Sequence, residues 1–365
     1  MKNYCLTLVA LFLCINLSTS QDLILKTQAG LQTTSIDSYA PLISELNQYK
    51  VETEPINPFR FLRKSKAVQG VLFMDVDHKI FSTLIAEKAN YLELNIPVDA
   101  KHNLEVELFR KKVLSNDFKI EYSSGKVDYT LADRAVFYFG HVKEHEESMV
   151  IMSVFEHEIK IFIKDQDGNY TIGKLKDSPE YVFYNEKNTV PEVARHCGFD
   201  DSTADITPQQ EVPDPVSKSM MCPIRVYVEV DNESLANVGT AAETNTYVTN
   251  LFAQNVALYA ANNIPMVLAG IKVWDTNDPY GNSNSNSTDV NVLFAIPGNQ
   301  LNKFSSMFMQ NSTNFTIGHL ISVKGSFGTI VGLASLGILC DSPNGTNPFG
   351  YSQVFNSFNN YPTHS

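Results

Sequence analysis

The histidines, cysteines and acid pairs of this chain are the residues able to do chemistry, and their spacing decides which of them matter. A helix with two histidines four residues apart, and a glutamate after the first, can hold zinc and activate a water: H-E-x-x-H. Two His-Glu pairs occur. His145-Glu146 is followed by Glu147-Ser148-Met149, and His157-Glu158 by Ile159-Lys160-Ile161. Neither supplies the second histidine. The second pair lies in an alternating apolar pattern, where positions i and i+4 of a strand are too far apart to chelate one ion. Both pairs read as surface residues, and residues 1–365 hold no zinc motif. A Ser-His-Asp site needs a strained Gly-x-Ser-x-Gly turn or a similar setting, which Gly325-Ser326-Phe327-Gly328 does not provide. A phosphate-binding loop and a dinucleotide fingerprint are also missing. Asp275-Thr276-Asn277-Asp278-Pro279-Tyr280-Gly281 has the acids of a calcium loop, but Pro279 takes the third ligand position and Gly281 comes one place late. It reads as a surface turn.

The cysteines are more informative. Lys2, an apolar run over 6–17 and Ser18-Thr19-Ser20 make residues 1–20 a secretory signal peptide. The run is too short for a membrane span and lacks basic flanks on its far side. The mature chain is therefore expected to be secreted, extracellular and without a membrane span. Cys5 and Cys14 leave with the signal, so Cys197, Cys222 and Cys340 remain. An odd count leaves at least one thiol unpaired within the chain. Cys197, in Arg195-His196-Cys197-Gly198-Phe199-Asp200, is either a purposeful thiol or one end of a disulfide to Cys222.

The elements that must position these residues fall into two blocks. Between residues 68 and 184 the pattern is β: Leu92-Glu93-Leu94-Asn95-Ile96, Leu104-Glu105-Val106-Glu107-Leu108 and Ile159-Lys160-Ile161-Phe162-Ile163 all alternate, and Ser124-Gly125, Asp167-Gly168-Asn169 and Asp177-Ser178-Pro179 mark turns. The basic run FRFLRKSK at 59–66 reads as a solvated surface turn. Residues 201–221 contain Pro208, Pro213 and Pro215, several acids and no aromatic residue, and make a linker. After it, 224–230 alternates as a strand. A helix is expected over 242–262, where Val248, Leu251, Phe252, Asn255, Val256 and Tyr259 fall at helical spacing. Strands are expected over 266–274 and 320–324, with a helix over 299–310 and an Asn- and Ser-rich loop over 277–291. Strand, helix, strand, helix, strand is an α/β order. The net charge of −12 argues against nucleic acid and against a polybasic membrane surface as partners.

Three stretches of the second block, in order, resemble the reprolysin-like (adamalysin/ADAM-type) metzincin metalloproteases. IRVYVEVD at 224–231 is similar to their opening strand, IPMVLAGIKVWDTND at 264–278 to their second strand, and GSFGTIVGLASLGILCD at 325–341 to the stretch before their zinc helix. The earlier run YFGHVKEHEESMVIMSVFEHEIKIFIKDQDGNYTIGKL resembles the propeptide of that family.

The resemblance implies an α+β chain with a signal peptide (1–20), an antiparallel β-rich propeptide (21–200), a linker (201–221), and the N-terminal part of a metzincin-like α/β catalytic domain with a twisted mixed sheet (222–365). It implies a secreted zinc-dependent endopeptidase zymogen acting on peptide or protein substrates. The zinc helix H-E-x-x-H-x-x-G-x-x-H is expected shortly after residue 365. The chain thus reads as a fragment without catalytic residues or a bound cofactor of its own, and zinc is expected in the complete enzyme. In the family, the backbone matching Thr329, Ile330, Val331, Gly332, Leu333, Ala334 and Ser335 pairs with an extended substrate, a case of β-augmentation. Cys197 is similar to the family's cysteine switch, an inhibitory thiolate ligand on zinc, although His196 intervenes in the usual order. The family's calcium-binding Glu of the opening strand is replaced by Arg225, and its Asp aligns with Gly318 or His319, so no calcium is carried over. The alternative is a non-enzymatic secreted binding protein on a protease-like scaffold.

Overall fold

The computed structural model describes residues 39–188, 196–197, 222–280, 300–306, 315–324, 330–334, 349–353, 357–358 and 361–362. The signal peptide, the linker, most of the Asn-rich loop, Thr329, Ser335 and Cys340 lie outside them.

The chain enters through helix α1 (Ala40–Tyr49), strands β1 (Phe59–Lys64) and β2 (Leu72–Val76), and helix α2 (His78–Glu87). Then follow β3 (Tyr91–Pro97), β4 (Asn103–Arg110), β5 (Leu114–Tyr122), β6 (Val127–Asp128), β7 (Ala135–Val142), β8 (His145–Phe155), β9 (Ile159–Asp165), β10 (Gly168–Lys174) and β11 (Tyr181–Asn185). A short strand, β12 (His196–Cys197), precedes β13 (Ile224–Val230), helices α3 (Asn232–Val238) and α4 (Ala241–Ala261), and strands β14 (Met266–Val273), β15 (Ile317–Ser322), β16 (Ile330–Ala334) and β17 (Phe349–Gln353). A small hairpin of β18 (Ser357–Phe358) and β19 (Tyr361–Pro362) follows.

Nine strands form one sheet in the order β1-β2-β11-β10-β9-β8-β7-β4-β3. Every pairing in it is antiparallel. Alternation sends Leu94, Val106, Ile161 and Ile172 to the face covered by α2 through Phe81 and Leu84. The run at 59–66 is not a turn: it forms edge strand β1, with Phe59 buried. Its arginines are held outside by carboxylates of neighbouring strands and turns, Arg60 by Asp75 at 2.5 Å and Arg63 by Glu180 at 2.5 and 2.8 Å. Charge on an edge strand discourages further pairing there.

The second sheet is mixed, in the order β12-β16-β17-β15-β13-β14-β5-β6. Strands β17, β15, β13, β14 and β5 run parallel to their neighbours in that series. The expected helix and strands of the second block are all present, as is a helical stretch over 300–306. Helix α4 starts from a capping box: the Thr240 hydroxyl accepts from the Glu243 N–H while the Glu243 carboxylate accepts from the Thr240 N–H. It lies between the two sheets. One core joins Phe137, Phe139, Met149 and Ile151 of the first sheet, Val248, Leu251, Phe252 and Val256 of α4, and Val226, Val228, Leu268 and Ile271 of the second. Sandwiching explains why 15 of its 21 residues are buried, polar ones included, where a surface helix buries one stripe.

Candidate substrate edge and its buried support

Of the family-implied edge residues, Ile330, Val331, Gly332, Leu333 and Ala334 form β16. Gly332 is buried, and Leu333 and Ala334 are half-buried. On its inner side β16 pairs antiparallel with β17, Gly332 opposite Ser352 and Ala334 opposite Gly350. On its outer side stands β12. His196 is the register partner of Ile330, and Cys197 of Gly332, in parallel orientation. The structure thus brings the backbone of Cys197 onto the very strand singled out for pairing with an extended peptide. Cys222 is a free, exposed thiol, so no disulfide links it to Cys197.

At the carboxyl ends of β13 and β15, the latter two strands in from this edge, lies a buried charged network. Asp231, directly after β13, caps α3 by accepting from the Ser234 N–H at 2.7 Å, and it also accepts from the Ser322 hydroxyl. The Lys324 ammonium lies 2.6 and 2.7 Å from the two Asp278 oxygens and 4.0 Å from Asp231. Asp278 accepts further from the N–H groups of Asn232 (3.0 Å) and Tyr280 (2.8 Å). Burial raises the Asp231 carboxyl above the ordinary aspartate value, against the opposing pull of Ser234, Ser322 and Lys324. Next to it, Glu229 accepts from Trp274 Nε1 at 2.8 Å and from the Tyr280 hydroxyl at 2.6 Å. These carboxylates are satisfied by fixed donors, so the arrangement positions backbone rather than transferring protons. The carbonyl of Lys324 accepts from the Tyr351 hydroxyl at 2.8 Å, which ties the exit of β15 to β17, the strand that carries β16. The sequence at 275–281, with its surface-turn composition, therefore carries two buried side chains, Asp278 and Tyr280.

His319 on β15 is buried, with Nε2 3.0 Å from Ser352 Oγ, and its ring sits T-shaped against Phe252. Burial pushes it down to about 3, so the ring is neutral near pH 7. It also leaves no room beside it: a Cβ on Gly350 would come within 2.6 Å of His319 Nδ1. Both His145 and His157 are exposed.

Zinc needs three protein ligands converging on one point. Among the described residues no group of three or more His, Cys, Asp or Glu side chains is placed to hold a metal ion, so these residues do not fit a zinc site and no step of chemistry is assigned through one.

Arg225 on β13 is committed to an ion pair with the first block. Its Nη2 reaches both oxygens of Asp117 on β5, at 2.9 and 2.8 Å. Nothing in the local sequence around 114–122 announces that this strand pairs with β14. The one legible clue is the alternation of Phe118, Ile120 and Tyr122, all buried.

Residues 223–363 match the family Reprolysin_5, metallo-peptidase family M12. The resemblance read from the residues of the second block is thus shown for that segment. No curated protein matches the chain. Among solved structures, metalloproteinase-II from Bacteroides fragilis aligns at 8% identity over 74% of this chain and 78% of that one, with a TM-score of 0.41. A chaperone–substrate complex aligns at 11% identity over 38% of this chain and 97% of that one, with a TM-score of 0.23.

Proposed function

We propose, from the M12 metallopeptidase segment at 223–363, that this chain is the zymogen form of a secreted zinc endopeptidase, and that β16 is the strand on which its peptide substrate lies. On this reading the family's zinc helix lies beyond Ser365. Residues 21–200 are the propeptide, and Cys197 is its inhibitory thiol.

The observation that carries the reading is the pairing of His196 and Cys197 with Ile330 and Gly332. An extended substrate binds a sheet edge through main-chain hydrogen bonds, which any sequence can make. A strand already seated on that edge excludes it. The propeptide needs only two paired residues to do so, because it is tethered and its effective concentration is high. The contribution of the described residues is the rail that orients the peptide.

Hydrogen exchange tests the rail. The amides of 330–334 are expected to be protected in the full chain and to lose protection in Cys197→Pro, since proline cannot donate to a ladder. An extended peptide of sequence 193–200, added in trans, should restore it. Equal exchange in both proteins would sink the proposal. The enzymatic part is tested by reading the gene past the codon for Ser365. A frame continuing into H-E-x-x-H-x-x-G-x-x-H, whose product binds zinc and cleaves peptides, supports the peptidase. A continuation without those residues supports a binding protein.

A further inference from the structure

The proposed function makes no chemical use of the side chains of Lys324 and Asp278, which meet out of reach of water. They are 2% and 4% exposed, and the ammonium lies 2.6 and 2.7 Å from the two carboxylate oxygens. Lys324 is pinned on both sides of its Cα: its N–H donates to Ser322 Oγ at 3.0 Å, and its carbonyl accepts from the Tyr351 hydroxyl at 2.8 Å. Each Asp278 oxygen also accepts from a main-chain N–H, Oδ1 from Tyr280 at 2.8 Å and Oδ2 from Asn232 at 3.0 Å. The Tyr280 ring stands 5.9 Å from the ammonium. A second carboxyl, Asp231, is fully buried 4.0 Å from Lys324 Nζ and accepts from the Ser322 hydroxyl.

These are the parts of an amide-forming site. A primary amine is held against a carboxyl carbon, and fixed N–H donors face both oxygens on which a tetrahedral intermediate would gather charge. A second carboxyl stands close enough to carry protons. Burial favours the step, because an ion pair out of water bears a desolvation cost that a neutral amide escapes. Asp278 has no competing cyclisation onto its own backbone, since the next residue, Pro279, has no N–H.

We propose that Lys324 and Asp278 condense in the folded chain to an intramolecular isopeptide bond, with Asp231 carrying the protons. Lys324 Nζ bonds to Asp278 Cγ, and one Cγ–Oδ bond breaks. Of the three ammonium protons, one stays on the amide nitrogen and two depart with the leaving oxygen as water. One positive and one negative charge vanish together, and nothing is oxidised or reduced. Burial raises the Asp231 carboxyl, which suits it to hold a proton in transit. As an ion pair the network only positions backbone; the condensation is a single event that makes the position permanent. The bond ties the exits of β14 and β15 across β13, which lies between them, and closes a loop over a separation of 46 residues. Such a tie restrains the unfolded chain as a disulfide does, without cysteine. It stands whether or not β16 receives substrate.

The test is a tryptic digest of the folded full chain, read by mass spectrometry. Trypsin cuts after lysine and arginine, and it fails at Lys324 once that side chain is an amide. Most copies of Lys324 are expected in a branched peptide that joins it to the segment holding Asp278, lighter by one water than the two together. Cleavage at Lys324 with Asp278 in a linear peptide overturns the proposal. A branched peptide from the same segments in Asp278→Ala overturns the assignment to this residue. Asp231→Asn keeps the cap on α3, because asparagine caps as well as aspartate. It should slow the condensation about 100-fold, within the range of a proton-transferring group, so that freshly folded protein yields mainly linear peptides while amide exchange at 317–322 matches the parent. An equal branched fraction in Asp231→Asn overturns the role given to Asp231.

Discussion

The two edges of the mixed sheet are closed by the same means and to very different extents. At β16 two residues pair, with a register irregularity between them. At β14 five residues pair, and hydroxyl, carboxylate and guanidinium groups fasten the seam on both sides. Backbone pairing by itself is weakly selective, and what fixes a strand in place is the side-chain burial it brings. Strand β5 brings Phe118, Ile120 and Tyr122 into the central core. On the proposal that β16 receives substrate, a short pairing at β16 beside a long one at β14 is the division that exchange would require.

The largest effect available lies in the charged network at the carboxyl ends of β13 and β15. Lys324→Ala leaves Asp278 and Asp231 buried with no cation, and removing one partner of a buried pair costs about 3–5 kcal/mol. Urea unfolding of the full chain should show that loss. Lys324→Met combined with Asp278→Leu should recover part of it, because the carboxylate closest to Lys324 is then gone and Asp231 keeps its Ser234 and Ser322 donors. A loss under about 1 kcal/mol in the single variant, the size of an exposed pair, would refute the role given to the network.

The longer pairing, of β5 with β14, comes next. Ile120 is fully buried where β5 meets β14, and Ile120→Ala is expected to cost about 2–4 kcal/mol. The matching change at the other edge, Cys197→Ala, should move stability by less than about 0.5 kcal/mol, since two paired residues anchor little. Equal costs at the two positions would erase the contrast between the edges.

The contrast also shows what a sequence discloses. Strands β4 and β9 are legible because their partners lie close by and alternation fixes their faces. Helix α4 is legible because its apolar spacing persists along its length and Asn262 stops it. Strand β16 is legible only through resemblance. The pairing of β5 with β14 joins Leu114 to Leu268, far apart in the chain, and no turn or spacing encodes it. Asp278 escapes sequence reading for a related reason: Asp, Asn and Pro make turn composition, while the Lys324 that buries Asp278 is 46 residues away. The run at 59–66 gives the impression of a turn because charge dominates it, although Phe59 and Phe61 alternate with arginine as an edge strand requires.

A smaller effect tests the packing that joins β15 to β17. Gly350→Ala places a methyl against the buried His319 ring, and overpacking of this kind costs about 1–3 kcal/mol. The signature to seek is local. Amide exchange should rise at 317–322 and 349–353 and stay unchanged at 266–273. A rise across both edges would mean that the sheet responds as one piece, and the two edges could not then be operated separately.

The smallest expected effect separates the edges by the sign of their response to acid. At the β5–β14 edge Asp117 is lowered, chiefly by its hydrogen bond from Arg225 and then by Ser115. A lowered carboxyl contributes stability above its unfolded value of 3.8 and loses that contribution as pH falls from 3.8 through the lower folded value. Directly after β13, Asp231 is raised by burial, so its ionisation works against the fold as pH rises from 3.8 through the higher folded value. Acidification toward 3.8 therefore relieves the network at the ends of β13 and β15, and acidification below 3.8 loosens β5. Asp117 is more than half exposed, so its share is at most about 1 kcal/mol. The check is the urea midpoint of the full chain followed from about pH 7 to about pH 3, beside Asp117→Asn. The variant should differ from the parent by a constant amount above about pH 5, and the gap should narrow as pH falls below 3.8. A gap that persists to the acid end of the series would mean that Asp117 stabilises the seam by packing rather than by charge. The Asp117–Arg225 contribution to the β5–β14 seam would then be insensitive to acid, leaving Asp231 as the acid-responsive carboxyl of the two.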